Sequence, residues 1–338
     1  MKNRQTTLKD IADLANVSIS TVSRVVNGQA TKAARPEVQD RIWAAVKELN
    51  YVPNTAAQML KTSLETKKLR TIACVFSRSL NFQNDPFFSE ISRAIETELL
   101  RLGYLMKFSV STQEDPKQTI ETLFSNEQVD GVVVLGRTDK RNIELIKKYN
   151  KNIVYVGLNK LESEINQVIC DGYEATQQAL RHLKKRGIKE IYYLGESENE
   201  VRFKSYKEFM NQEGIVSGLR KLVIETPFSS QAAYEHMKKT LGKGCRPEGI
   251  FCGNDLTALG AIKAIKEFGL KIPEDVALVS IDNTEIAQFS SPMLTTVSVP
   301  LNQLGEVAAK LVVDHSFKRY DLPMTILIPS ILVIRESS

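Results

Sequence analysis

Over residues 7–49 apolar positions recur at helical spacing, whereas from residue 71 onward short continuous apolar runs alternate with longer amphipathic stretches. Thr7-Leu8-Lys9-Asp10 has the form of a capping box, and Ile11, Ala12, Leu14 and Ala15 follow it. The pattern predicts a first helix from about Leu8 to Leu14. Ala15-Asn16-Val17 then makes a tight turn, and Ser18 can cap a second helix whose Val22, Val25 and Val26 face inward. Ile19, Ser20, Ser23, Arg24 and Asn27 are left outward. A third helix from about Pro36 to Leu49 presents Val38, Ile42, Ala45, Val46 and Leu49 to the first two, with Pro36 acceptable in its first turn. Two short helices joined by a three-residue turn have the helix-turn-helix outline, in which the start of the second helix is offered to the DNA major groove.

The second region reads differently. Runs over Thr71 to Phe76, Tyr104 to Ser109, Gly131 to Leu135 and Ile153 to Val156 read as strands, followed by Glu190 to Leu194, Lys221 to Ile224, Gly249 to Cys252 and Val276 to Ile281. A last one spans Ile331 to Arg335. Helical patterns between them imply parallel sheets covered on both faces, and so many strands suggest two doubly wound lobes rather than one. Ligands in such sheets bind at the carboxyl ends of strands, so a cleft between the lobes is the expected site.

A length of 338 residues is compatible with two or three domains. Charge divides unevenly along it. Residues 1–70 hold 12 Lys and Arg against 6 Asp and Glu, and the remainder holds 33 against 34. A basic head on a near-neutral body is the electrostatic footprint of a segment that meets a polyanion. No run approaches 18 apolar residues and the first residues lead into no apolar signal core, so no membrane partner and a cytoplasmic location are expected. Cys74, Cys170, Cys245 and Cys252, with His182, His236 and His315, are scattered without metal-ligand spacing. GxGxxG, GxxxxGK[ST] and GxSxG are all missing. Neither a metal, a cofactor nor an enzymatic activity is expected.

The string from Thr7 to Gly28, TLKDIADLANVSISTVSRVVNG, closely resembles the N-terminus of LacI-family repressors. Leu49-Asn50-Tyr51-Val52-Pro53-Asn54-Thr55-Ala56-Ala57-Gln58-Met59-Leu60 resembles that family's hinge segment. In the body, Asn84-Asp85-Pro86-Phe87-Phe88, Gly253-Asn254-Asp255, Ser280-Ile281-Asp282-Asn283 and Pro292 to Val297 resemble its effector domain, itself similar to periplasmic sugar-binding proteins. The loop from Gly28 to Arg35 is longer than usual for the family, and Gln39 stands where many relatives carry arginine.

The resemblance implies an all-α helix-turn-helix DNA-binding domain over residues 1–50, a hinge helix and linker over 51–68, and an effector-binding and dimerisation domain over 69–338. That last domain is an α/β core of periplasmic-binding-protein type with two doubly wound parallel-sheet lobes, lobe 1 covering about 69–169 and 300–329, lobe 2 about 170–299 and 330–338. It further implies that Ile19, Ser20 and Arg24 face base edges. Arg24 can donate two bonds to guanine, Ser20 can bond several bases, and Ile19 can offer apolar contact to a thymine methyl. Thr7, Ser18, Thr21 and Ser23 would bond phosphates and set register, with Asn27 also on the DNA side. The alternative for Ile19 is a place in the core.

In the hinge, Pro53 stops the preceding helix and Asn54 can cap a new one, too short to be stable alone. Two such helices would pair in a homodimer on DNA, approach closely through Ala56 and Ala57, and wedge Leu60 into the minor groove of a pseudo-palindromic operator. The alternative for Leu60 is packing against the body.

Effector contacts carried over from the family are Asp85, Phe87, Arg202, Asn254 and Asp282, a set suited to a polyol. Asp85 can equally cap the helix entered by Pro86, and Asp255 reads as a cap rather than a ligand contact. The implied function is repression of carbohydrate-utilisation genes under a small sugar. Phe228-Ser229-Ser230 and the long loop from Ser79 to Asp85 are similar to galactoside-responsive members, while another sugar, a sugar phosphate or a nucleobase stays open. The chain stops after its last strand without leucine heptads, so no tetramerising coiled coil is expected.

Overall fold

The structure is a computed structural model that describes residues 7–26, 35–49, 70–77, 85–112, 114–215, 218–316 and 322–338. Asn27, Asn54, Ala57 and Leu60 lie outside the described residues. The chain divides into two compact units, Met1–Leu69 and Arg70–Ser338.

The first unit holds helices α1 (Leu8–Ala15), α2 (Ile19–Val26) and α3 (Pro36–Glu48). The capping box forms: Asp10 N donates to Thr7 Oγ1 at 3.4 Å and Thr7 N donates to Asp10 Oδ2 at 2.8 Å. α1 ends at Asn16, whose φ of 53° is the left-handed conformation that asparagine tolerates at a helix terminus. Thr21 N donates to Ser18 Oγ at 3.1 Å, which starts α2. Ile11, Ala12, Ala15, Val22, Val25, Ile42 and Ala45 are buried together. Leu14 is exposed and Val26 only half-buried, so the core is narrower than the apolar pattern suggested. Short helices close over one stripe each, and residues at the stripe's edge stay in water.

The second unit contains two six-stranded sheets. In chain order its elements are β1 (Thr71–Phe76), α4 (Pro86–Arg101), β2 (Leu105–Ser111), α5 (Pro116–Asn126), β3 (Gly131–Leu135), α6 (Lys140–Lys147), β4 (Ile153–Gly157) and β5 (Asn166–Ile169). There follow α7 (Gly172–Lys185), β6 (Ile191–Gly195), α8 (Val201–Gln212), β7 (Val223–Glu225), α9 (Ser230–Gly242), β8 (Gly249–Cys252) and α10 (Asp255–Glu267). The last are β9 (Ala277–Asp282), α11 (Glu285–Phe289), β10 (Thr295–Ser298), α12 (Leu301–Ser316), β11 (Thr325–Leu327) and β12 (Ile331–Val333).

The first sheet runs β2-β1-β3-β4-β5-β11 and is parallel throughout. The second runs β7-β6-β8-β9-β10-β12, parallel except for β12, which pairs antiparallel with β10. Helices cover both faces, which is why β1, β3, β4 and β9 are buried along their whole length and read as predominantly apolar runs, with Ser280 and Asp282 the polar positions of β9. Each fully buried Ile or Leu in them contributes about 1.5–3 kcal/mol.

The chain passes between the two lobes three times, from β5 to α7, from β10 to α12 and from β11 to β12, so neither lobe is continuous in sequence. Among the described residues no helix is long and apolar enough to cross a membrane.

Strands β5, β10 and β11 have no counterpart among the predicted runs. β5 begins Asn166-Gln167, both buried, because their amides are satisfied locally: Met324 N donates to Asn166 Oδ1 at 2.9 Å, and Gln167 bonds both N and O of Leu161. A buried amide that is hydrogen-bonded costs little, so the strand carries no apolar signature. β11 is a three-residue edge strand.

Candidate functional site

In both sheets the strand order reverses beside the first strand, between β1 and β3 in one lobe and between β6 and β8 in the other. Such reversals leave a crevice at the carboxyl ends of the strands. A cavity of about 540 Å³ lies there, bounded by both lobes. Gly136 and Arg137 follow β3, Glu196 follows β6, Phe228 lies beyond β7, Asn254 follows β8, and Asp282 ends β9.

All five residues carried over as effector contacts line this one cavity: Asp85, Phe87, Arg202, Asn254 and Asp282. Asp85 both lines it and caps α4, accepting from Phe87 N at 3.0 Å. Phe87 and Phe88 are both half-buried and meet edge to face at 5.2 Å, Phe88 turning its ring to Phe76. The capping role given to Asp255 belongs instead to Asn254, whose Oδ1 accepts from Thr257 N at 2.9 Å. That leaves the Asn254 amide nitrogen as the group able to donate into the cavity. Asp255 is a buried hub, accepting from Ser280 Oγ, Thr296 Oγ1, Thr284 N and Thr284 Oγ1 at 2.5–2.9 Å. It ties the start of α10 to the ends of β9 and β10.

Arg202 is 7% exposed and committed on three sides. Its Nε donates to Glu200 Oε1 at 2.7 Å, Nη2 to Glu200 Oε2 at 3.0 Å and Nη1 to the Gly253 carbonyl at 2.7 Å. Its guanidinium lies 4.1 Å over the Phe228 ring. Burial opposes the arginine's charge, yet Glu200 beside it more than compensates and holds the pKa above its ordinary value. Glycine is needed at 253 and at 195, where a Cβ would stand 2.4 Å and 2.9 Å from Phe228 Cε1.

Asp282 is 4% exposed, and its Oδ1 is buried without a hydrogen-bond partner. Desolvation raises its pKa well above the ordinary carboxylate value; Asp255 adds repulsion and Arg202 partly opposes it. Its φ of 125° is a conformation that L-residues rarely adopt, at a cost of order 1–3 kcal/mol. A strained, buried, under-bonded carboxylate at a strand end is an acceptor waiting for a donor.

Sequence reasoning missed Arg137, Glu196 and Glu200. Arg137 donates through Nη2 to Glu196 Oε2 at 3.0 Å and through Nη1 to the Glu198 carbonyl and Glu200 Oε2, at 2.6 and 3.2 Å. Burial lowers its pKa, partly offset by Glu200. The available signal was position, since Gly136-Arg137 and Gly195-Glu196 each stand where a strand ends. Val299 and Leu301, at the second crossing, are core residues and do not line the cavity.

In the first unit Ser18, Ser20 and Arg24 are exposed and Ile19 is 47% exposed, outside the core. Thr7 is exposed at the start of α1, and Thr21 and Ser23 are half-buried. Ser18 Oγ is within 2.8 Å of both Ser20 Oγ and Thr21 Oγ1, and Arg24 Nε donates to the Ser20 carbonyl at 3.2 Å. α2 thus offers to solvent hydroxyls and one isoleucine at its start and one guanidinium in its last turn.

Comparison with known proteins agrees with both units. The family described as "Bacterial regulatory proteins, lacI family" matches residues 7–54, and "Periplasmic binding protein-like domain" matches residues 180–338. The chain is 29% identical to the HTH-type transcriptional repressor PurR of Escherichia coli O1:K1 / APEC, over 98% of this chain and 96% of the relative. Similar solved structures include a transcriptional regulator CelR–cellobiose complex, with a TM-score of 0.71 at 25% identity over 99% of this chain and 100% of that one. The Lac repressor bound to ONPG in the repressed state superposes with a TM-score of 0.71 at 26% identity, over 99% and 100%. The transcription regulator CcpA of Lactococcus lactis superposes with 0.70 at 26%, over 80% and 100%. The chain thus joins a DNA-binding head matched by the lacI family of bacterial regulatory proteins to a periplasmic-binding-protein-like body, the combination carried by these similar repressors.

Proposed function

We propose that this DNA-binding transcriptional repressor works as a homodimer on a pseudo-palindromic operator, and that a small sugar held between the lobes sets its operator affinity. The observation that carries the effector half is Asp282 Oδ1, a buried acceptor without a donor in a cavity between two lobes. Hydroxyl groups would supply that donor, Asn254 can donate in return, and Phe87 and Phe228 offer apolar faces to a ring. The cellobiose held by the similar CelR regulator supports a sugar; a galactoside is the first candidate and a nucleobase the second.

On the DNA side, Arg24, Ser20 and Ile19 read base edges, while Thr7, Ser18, Thr21, Ser23 and Asn27 fix register. One recognition helix reads a half-site, so two-fold DNA calls for two copies. Residues 51–68 form the hinge, in which Asn54, Ala57 and Leu60 meet the minor groove and transmit lobe orientation to the operator. Effector and operator binding are then reciprocally coupled.

The test is anisotropy of an operator selected from random duplexes, titrated with galactosides, glucosides, pentoses and nucleobases. One class is expected to shift operator affinity, and Asp282→Asn to keep DNA binding and lose that shift. A shift that survives Asp282→Asn would move the effector site elsewhere.

A further inference from the structure

Four helices begin at the cavity, and a helix start is ordinarily a ready-made anion site, because its first N–H groups lack partners. Here each start is occupied by the protein's own side chain. Asp85 accepts from Phe87 N in α4, Glu200 from Arg202 N in α8, Ser229 from Ala232 N in α9 and Asn254 from Thr257 N in α10. Two of these caps are carboxylates.

The arginines tell the same story. Arg137 and Arg202 are the arginines on the cavity wall, and both spend their donors inside the protein, on Glu196, Glu200 and the carbonyls of Glu198 and Gly253. Two cations against two glutamates leave no surplus positive charge. Asp85 then adds negative charge to the wall, and Asp282 adds a buried carboxyl oxygen without a partner. A phosphate or carboxylate entering here would meet helix starts already capped, would have to break a buried two-point ion pair to reach Arg202, and would face Asp282.

We propose that the cavity selects by charge: it accepts an uncharged ligand that presents hydroxyl or N–H donors and refuses phosphorylated or carboxylated ones, with Glu200 and Glu196 as the residues that set this selectivity. The proposal rests on the cavity being the effector site, and it removes sugar phosphates from the candidate effectors.

Inorganic phosphate is the probe, titrated calorimetrically into the full chain at constant ionic strength. Glu200→Gln keeps an oxygen to cap α8 and to accept from Arg202 while removing the charge. It is expected to bind phosphate at least about tenfold more tightly than the unaltered protein. Glu196→Gln is expected to move the same way by a smaller factor, since it frees only one Arg137 donor. Phosphate sites on the basic head are common to all three proteins, so the difference reads the cavity alone. Equal phosphate affinity in all three, or tighter binding by the unaltered protein, would overturn the proposal. Should Glu200→Gln not fold, Glu196→Gln at its partly exposed position carries the test by itself. Failure of the effector-site reading is seen separately, in an effector response that survives Asp282→Asn.

Discussion

Arg137, at the end of β3 in one lobe, reaches Glu196, at the end of β6 in the other, with a 3.0 Å bond from Nη2 to Oε2. Because Arg137 also donates to Glu200, which holds Arg202, the bond that closes the lobes is continuous with the ion pair on the cavity wall. Closure and the state of the site are therefore linked through charge-assisted bonds, which are stronger than neutral ones.

Arg137→Ala is expected to open the cleft and to lower the stability of the body by about 1–3 kcal/mol, the range for hydrogen bonds to charged groups. Small-angle scattering of the unliganded protein should show a larger radius of gyration. Apparent effector affinity should weaken, since less of the population is closed. An unchanged radius would remove the link between this pair and lobe closure.

Asp282→Asn is expected to stabilise the unliganded protein at neutral pH, by about 1–3 kcal/mol, because it replaces a buried carboxylate short of a partner. Asparagine has the shape of aspartate, so the backbone strain at 282 is common to both proteins. The sign with pH follows from the raised pKa, caused first by desolvation and then by Asp255, with Arg202 opposing. The folded state holds this proton more tightly than the unfolded chain, so the stabilisation is complete below the ordinary carboxylate value and is lost as pH rises through the folded one. Urea unfolding at a series of pH values should show a shallower fall in the variant. Parallel curves would mean that Asp282 does not titrate as its surroundings require.

Gly260→Ala tests the packing of α9 on α10. A Cβ at 260 would stand 2.2 Å from the Ser230 carbonyl oxygen and 2.6 Å from Tyr234 N. Alanine favours a helix by about 1 kcal/mol over glycine. Overpacking typically costs about 1–3 kcal/mol, and backbone atoms cannot swing aside as a side chain can. The clash should win, giving net destabilisation by thermal unfolding. A higher midpoint would show that the two helices can separate freely.

Arg24→Ala is expected to cost about 1–3 kcal/mol on the cognate operator and to relax preference at one base pair of each half-site. The measurement is binding to a set of single-base operator variants at fixed salt, since phosphate contacts alone make affinity fall steeply with ionic strength. A variant that ranks the operators as the unaltered protein does would displace Arg24 from its reading role.

Much of the fold was legible because the signals are local. The Thr7–Asp10 box, the Asn16 turn, the Ser18 cap and the apolar runs of β1, β3 and β9 involve residues a few positions apart, and their structure follows from that spacing. β5 was not legible, since its amides are made compatible with burial by partners at Leu161 and Met324.

Alone, the sequence determined the helix-turn-helix head and the alternation of strands and helices; its family resemblance added five residues that line one cavity. Only the tertiary structure decided their electrical state. It pairs Arg137 with carboxylates some sixty positions away, makes Asn254 rather than Asp255 the cap of α10, and leaves Asp282 strained and short of a donor. The physical reason is that strand order, not chain distance, sets which strand ends meet. A charge takes its character from the groups that topology places within a few ångströms of it.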